Sequence, residues 1–379
     1  MRAVSLSRSR LAVAAAFLIQ GFVFISLTTR LPDFSDLWSL SEVELSLLLL
    51  GLVLLAGVGT LLAERLAPQV GSAALLRASL VAMAAVVPIA VLAPSVAVFY
   101  AAVAAYGVVL GIVDAVVNMQ AVALEHRYDR PILPSFHGSW TLGGLVASAL
   151  TLATAHVALD WVALLAVVPL AAVAAPYLAH ERSGAPEVDS AVPWRPILLV
   201  GAALVLFYMV DTAAFTWGPT YLDRAVDAPS DLVALATFPY LLASGLVRLA
   251  GDGLVRRHGP VLVLRVGALV ACLGLAVVVF APSWPVAVLG FLVMGAGVAV
   301  VAPLSFSAAA RIAGGELDPA QRRARVDAVI ARFNQFNYVG ALLGAVMTGL
   351  VGAGSLRVGF AVPMVLVLGL LPLAKAFRP

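Results

Sequence analysis

Charge is what this sequence has least of. Asp, Glu, Lys and Arg make up 11% of the 379 residues, while 63% are hydrophobic. A soluble domain carries roughly 25% charged residues. With so few polar side chains a soluble chain of this length could not cover its own surface. That leaves a polytopic membrane protein with lipid as its outer solvent. Cysteine is nearly absent too: the one thiol, Cys272, lies in an apolar run and cannot form an intrachain disulfide. His137 has no second His or Cys at metal-ligand spacing, so no metal site is expected. No GxxxxGK[ST] sequence occurs, which argues against a nucleotide site, and no cofactor is expected. Neither HExxH nor a hydrolase elbow is found, which argues against an intramembrane enzyme. The arginines are dispersed among loops instead of forming a patch, so nucleic acid is not an expected partner.

What is present is long apolar runs. A helix needs about 20 apolar residues to cross the hydrocarbon core. Twelve stretches satisfy that, near 11–30, 42–64, 72–93, 96–122, 134–157, 159–179, 196–222, 231–250, 260–281, 284–309, 327–350 and 356–376. They are apolar all round, unlike the alternating strands of a membrane barrel. The first run is longer than the roughly 7–15 residues of a signal-peptide core and no small-x-small site follows it, so it reads as a retained span. With the N-terminus inside, all but three of the 23 Lys and Arg residues fall on the inner side; Arg30, Arg224 and Arg357 are the exceptions. The positive-inside rule therefore supports twelve helices with both termini cytoplasmic.

The longest hydrophilic link, 180–195, separates an N-terminal six-helix bundle (1–179) from a C-terminal one (196–379). A shift of 188 residues lays AERLAPQVGSAALLR (63–77) on GDGLVRRHGPVLVLR (251–265). It matches Leu66 with Leu254, Gly71 with Gly259, Leu76 with Leu264 and Arg77 with Arg265, and it places Glu64 on Asp252. Gly107 likewise falls on Gly295. Duplicated halves of this kind are a transporter architecture.

The stretch Gly251-Asp252-Gly-Leu-Val-Arg256-Arg257-His-Gly259 resembles the loop signature of the major facilitator superfamily, with a degraded first-half copy in which Glu64 stands for the Asp. Arg30-Leu-Pro-Asp33, Asp114-Ala-Val-Val-Asn118 and Phe136-His137-Gly138-Ser-Trp140-Thr-Leu-Gly143 resemble the fucose-permease-like branch of bacterial inner-membrane permeases. The likeness runs over nearly the whole chain. It implies an all-α fold of two pseudo-symmetric six-helix bundles, and a cytoplasmic latch formed by Asp252, Arg256, Arg257 and Glu64. The alternative for the latch residues is that they only set topology. His137 opens the fifth span and reads as a gate residue or a hydrogen-bonded structural histidine.

Polar residues inside the spans are costly and normally face a bundle interior or a wet cavity. Asp114 lies about 7 Å to the inner side of the fourth span's midpoint, at about 1.5 Å per residue. Asn118 shares its face, whereas Gln120 points elsewhere. Glu125 reads as a residue of the membrane surface, outside the core. Burial favours the neutral form of a carboxyl, so an intramembrane acid can take up and release a proton as access alternates. The resemblance implies the same role at this place, against the alternative of a structural hydrogen bond. Asp211 lies near the middle of the seventh span, with Thr212, Thr216 and Trp217 after it. This combination suits a solute site, with the carboxylate taking donors and the indole stacking a flat face; the alternative for Trp217 is an interfacial anchor. Thr216 departs from the branch, which often has Asp there. Asn334, Asn337 and Tyr338 offer donors and acceptors from the eleventh span, as does Gln20 from the first. Interhelical hydrogen bonding is the competing explanation. Close glycines such as Gly107/Gly111 and Gly143/Gly144 point to helix packing, and Pro239 and Pro303 to kinks.

These residues, together with what the resemblance implies, lead to the expectation of a proton-coupled secondary transporter of a small polar solute, acting as a monomer, with the sugar-like solute and the bacterial inner membrane following from the resemblance. Its partners are the solute, protons and the bilayer. The alternatives are proton-antiport efflux of an amphipathic compound and a non-transporting sensor. The topology predicts that a reporter active only in the cytoplasm works when fused after Pro379 and is silent when inserted beside Arg224. The reverse pattern would overturn the charge count.

Overall fold

The computed structural model describes residues 6–128, 132–178, 192–315, 325, 326, 329, 330, 333 and 335–378, without the side chains of His126, Pro134 and Asp252. Among the described residues all regular structure is helical. The chain separates into two compact units, Met1–Arg182 and Ser183–Pro379.

In the first unit lie α1 (Leu6–Thr28), α2 (Glu42–Val70), α3 (Ser72–Val91), α4 (Val96–Tyr128), α5 (Leu133–Ala153) and α6 (Leu159–Leu170). A short helix, Leu31–Leu37, follows α1. In the second lie α7 (Trp194–Val226), α8 (Phe238–His258), α9 (Pro260–Val279), α10 (Trp284–Gly314), α11 (Gln335–Val351) and α12 (Leu356–Phe377). Each of the twelve apolar stretches thus contains a helix. Among the described residues, nine helical stretches are long and apolar enough to cross a membrane; α5, α6 and α11 are the remainder. The first turns of α5 carry Ser135, His137, Ser139 and Thr141, which dilute its apolar content. The first residues of the expected 327–350 span lie mostly outside the described residues.

Two expectations need correction. The sixth stretch is not a uniform helix over 159–179: it is 3-10 from Leu159 to Ala166, adds one α turn to Leu170, and then breaks into turns. Pro169 and Pro176 each lack the N–H that a continuing α-helix would use. The last stretch behaves alike, with 3-10 segments at Val367–Gly369 and Ala374–Phe377 on either side of Pro372. Pro239 does not kink the interior of α8. It sits in that helix's first turn, after a separate 3-10 segment at Ser230–Ala236, where a missing N–H breaks no intrahelical bond.

Pro303 does interrupt α10, which is broken at Ala299–Val300. A proline at position i leaves the carbonyl of i−4 without its donor. Here that carbonyl belongs to Ala299, and Arg248 Nε donates to it at 3.1 Å.

The helix ends follow local chemistry. Ser41 and Glu44 form a capping box at the start of α2, with Ser41 N donating to Glu44 Oε2 at 2.8 Å and Glu44 N to Ser41 Oγ at 3.2 Å. The turns α2–α3 and α8–α9 pass through Gly71 and Gly259, with φ of +86° and +77°. A side chain there would be strained, so both copies of the repeated loop need glycine at the same register.

The duplication extends to packing. In the first unit α1 lies on α5, α2 on α4, and α3 on α4 and α6; in the second α7 lies on α11, α8 on α10, and α9 on α10 and α12. The matched glycines Gly107 and Gly295 make matched contacts. A Cβ on Gly107 would meet Leu52 O at 2.8 Å, and one on Gly295 would collide with Tyr240 O; positions 52 and 240 are again 188 apart. The matched arginines also act alike. Arg77 on α3 donates to Val173 O and Ala175 O just after α6, each at 3.1 Å, and Arg265 on α9 donates to Leu371 O in α12 at 3.3 Å.

Overpacking a close helix contact costs about 1–3 kcal/mol. Gly107→Val and Gly295→Val should therefore both lower the melting midpoint of the purified chain in detergent. Gly57→Val, where a Cβ would meet nothing within 4 Å among the described residues, should leave it unchanged.

Candidate functional site

Close approach of α1 and α5 places the first cluster. A Cβ on Gly21 would collide with Trp140 O, and one on Gly143 with Leu18 O. α4 in turn lies close on α2, where Gly111 is against Ala56 O. Between α1 and α4, Gln20 Nε2 donates to Asp114 Oδ1 at 3.0 Å. Asn118, one turn along α4, donates to Asp114 O at 2.9 Å and lies 3.5 Å from Oδ1. Gln20 is 5% exposed, and among the described residues its Oε1 has no hydrogen-bond partner. A buried acceptor without a donor costs about 1–3 kcal/mol.

Two neighbouring polar residues have other duties. Gln120, 1% exposed, donates to Ser72 Oγ at 2.7 Å and to Leu178 O, and accepts from Leu178 N at 2.9 Å. It ties α4 to the start of α3 and to the segment after α6, away from Asp114. Glu125 accepts from the backbone N–H groups of Ile132 and Leu133, at 2.7 and 2.9 Å. A carboxylate at a helix N-terminus is favoured by the unpaired amides and the helix dipole there. The sequence did not show this capping role for α5, because Glu125 reaches its partners across a loop.

In the second unit Asp211 on α7 accepts from Tyr240 Oη of α8 at 2.6 Å. Tyr240 is fully buried. Sequence reasoning missed it; the one signal was a phenol in the middle of the 231–250 stretch. Trp217 requires a correction. It is 0% exposed and its Nε1 donates to Ala345 O of α11 at 2.7 Å. In this structure its ring packs α7 against α11 and offers no face to a solute. The hydroxyl of Thr216 is likewise used, donating to Thr212 O at 2.7 Å.

Asn337 and Tyr338 are half-buried on α11. Gly340 packs against Val205 and Tyr208, and Gly344 against Met209 and Thr212. That register sets Asn337 and Tyr338 about 10 Å along the helix axis from Asp211, at about 1.5 Å per residue. They form a separate layer. Asn334 lies outside the described residues.

The expected latch residues divide between the units. Arg256 and Arg257 are exposed in the last turn of α8, where positive charge complements the helix C-terminus. Glu64 is exposed near the end of α2. Asp252 lies in α8 with its side chain outside the described residues. His137 packs edge-on against Phe17 of α1, with ring centroids 5.4 Å apart. Among the described residues no group of three or more His, Cys, Asp or Glu could hold a metal.

Comparison with known proteins follows the same lines. The Major Facilitator Superfamily profile matches residues 11–326. An uncharacterised transporter of Sinorhizobium fredii is 29% identical over 313 residues, covering 79% of this chain and 81% of that protein. The crystal structure of a point mutant of the nucleoside transporter NupG is similar with a TM-score of 0.72 at 14% identity, covering 97% of this chain and 99% of NupG. The transporter FucP, in its outward conformation, gives 0.62 at 15% identity, covering 97% and 98%. Identities this low carry the fold alone, and FucP fits less well than NupG, so the fucose-permease-like branch is not singled out. The all-helical architecture, the near-full-length structural likeness and the profile match lead to one conclusion: this chain belongs to the major facilitator superfamily of membrane transporters and is not an enzyme.

Proposed function

We propose that this transporter couples movement of a small polar, sugar-like solute to movement of protons, with Asp114 as the proton-carrying group. The observation that carries the proposal is the Gln20–Asp114–Asn118 cluster. A carboxyl group on an apolar helix is costly as an ion. Here two amides from α1 and α4 surround it, and one buried amide oxygen beside it lacks a donor among the described residues. Ionised, Asp114 accepts from both amides. Protonated, it becomes a donor itself, and the Gln20 amide is freed for another partner, while Asn118 keeps its bond to the backbone carbonyl of Asp114. The hydrogen-bonding offered to a solute thereby depends on the proton. A solute rich in hydroxyls supplies the donor that Gln20 Oε1 lacks.

Asp211 with Tyr240 forms a second polar centre, within the second unit, that suits the same kind of solute; Asn337 and Tyr338 of α11, and Asn334 before it in the sequence, are further candidates in that unit, as Asn118 is in the first. Trp217 contributes by holding α7 to α11. Asp252, Arg256, Arg257, Glu64 and His137 are assigned to gating at the cytoplasmic side. The setting is a bacterial inner membrane, with the chain acting as a monomer and both termini cytoplasmic.

The test is uptake into proteoliposomes under an imposed pH gradient, with a panel of sugars, amino acids and lipophilic drugs. Wild-type protein should accumulate a polar solute with accompanying proton flux. Asp114→Asn should retain exchange of that solute between equal concentrations and lose accumulation at least tenfold. Undiminished accumulation in Asp114→Asn would remove the coupling role. Accumulation of lipophilic cations alone would remove the solute class.

A further inference from the structure

We propose that the second unit carries a binding site for the phosphate group of an anionic phospholipid, at the end of the unit where α8 finishes and α9 begins. A cavity of about 360 Å³ lies there, lined by Arg256, Pro260, Leu304, Ser307, Arg311 and Phe377 among others. That is within the size range of small-molecule pockets, which begins at roughly 300 Å³.

Four elements meet in it. Arg256 comes from the last turn of α8 and Arg311 from the last turn of α10. Pro260 is the first residue of α9, whose N-terminal end carries the positive pole of a 20-residue helix. Phe377 comes from the end of α12. Arg311 Nη2 donates to Phe377 O at 3.4 Å and to Arg378 O at 3.1 Å, which anchors one edge of its guanidinium and leaves the rest to the cavity. Among the described residues Arg256 makes no hydrogen bond or ion pair. Two guanidinium groups and the N-terminus of α9 meet at one cavity, where a single anion can join them. Planar guanidinium groups match phosphate oxygens in paired hydrogen bonds. Ser307 adds a hydroxyl donor.

The apolar part of the lining selects the source of the phosphate. Leu304 and Phe377 share the cavity with the arginines. Val255 and Pro260 add apolar surface to the same lining. A free phosphate gains nothing from such walls, whereas a lipid lays its glycerol and upper acyl chains along them. Basic pockets between helices at a membrane surface suit anionic headgroups in this way.

The experiment measures the thermal midpoint of the full chain in detergent. Phosphatidylglycerol, phosphatidylcholine and inorganic phosphate are each added to wild type, Arg256→Gln, Arg311→Gln and Arg65→Gln. Phosphatidylglycerol should raise the wild-type midpoint, and phosphatidylcholine and inorganic phosphate should not. Half or more of that rise should vanish in Arg256→Gln and in Arg311→Gln and persist in Arg65→Gln. The lipid-dependent rise is compared within each variant, so a variant that is merely less stable still reports. An equal rise with inorganic phosphate would show a soluble-anion site and overturn the lipid assignment. An undiminished rise in both cavity variants would leave the two arginines as helix-end charges only and overturn the site.

Discussion

A backbone carbonyl freed inside a membrane protein cannot turn to water, and much of this structure follows from how its freed carbonyls are satisfied. Helix ends and prolines release them, and arginine side chains take them up. Arg30 donates to Thr154 O after α5 at 2.9 Å, while pairing with Asp33 at 3.1 Å. Arg77 and Arg265 serve the sixth and twelfth helices, and Arg248 serves the carbonyl that Pro303 orphans. Arg357 reaches Val279 O, Ala281 O and Ala225 O at 3.1, 2.6 and 3.3 Å, joining the ends of α9 and α7. Guanidinium suits this work because its five donors reach several acceptors from one planar group. It also accounts for two of the three arginines that break the positive-inside pattern. Arg30 and Arg357 are kept where they are by the carbonyls they satisfy.

The same accounting extends to the polar side chains within the helices. Gln120 uses its amide on both sides, and Trp217 and Thr216 spend their donors on backbone carbonyls. Gln20 spends its donor on Asp114 and, among the described residues, leaves its acceptor bare at a buried position. Satisfied groups hold helices together.

Twelve helical stretches were legible because hydrocarbon imposes a length and a composition on any span, and both are written along the chain. The repeat was legible at Gly71 and Gly259, where backbone geometry allows one residue type, and at Arg77 and Arg265, whose targets lie at corresponding helices. Asp114 and Asn118 were legible as neighbours because a helix fixes which residues share a face. The 3-10 character of α6 was not legible, since its composition is as apolar as that of any other span and its prolines, Pro169 and Pro176, come after the 3-10 segment.

By itself, then, the sequence determined the helices, their approximate ends, the duplicated loop and the presence of two acids where acids are expensive. These are properties of single segments, and segment-level physics suffices for them. Only the tertiary structure decided which polar atoms meet. It set Gln20 against Asp114, Tyr240 against Asp211 and the Trp217 N–H on the backbone of α11, and it placed Asn337 and Tyr338 a layer away from Asp211. Those pairings depend on how closely neighbouring helices approach and in what register. That approach is set by small residues such as Gly21, Gly143, Gly340 and Gly344, whose partners lie more than a hundred residues away.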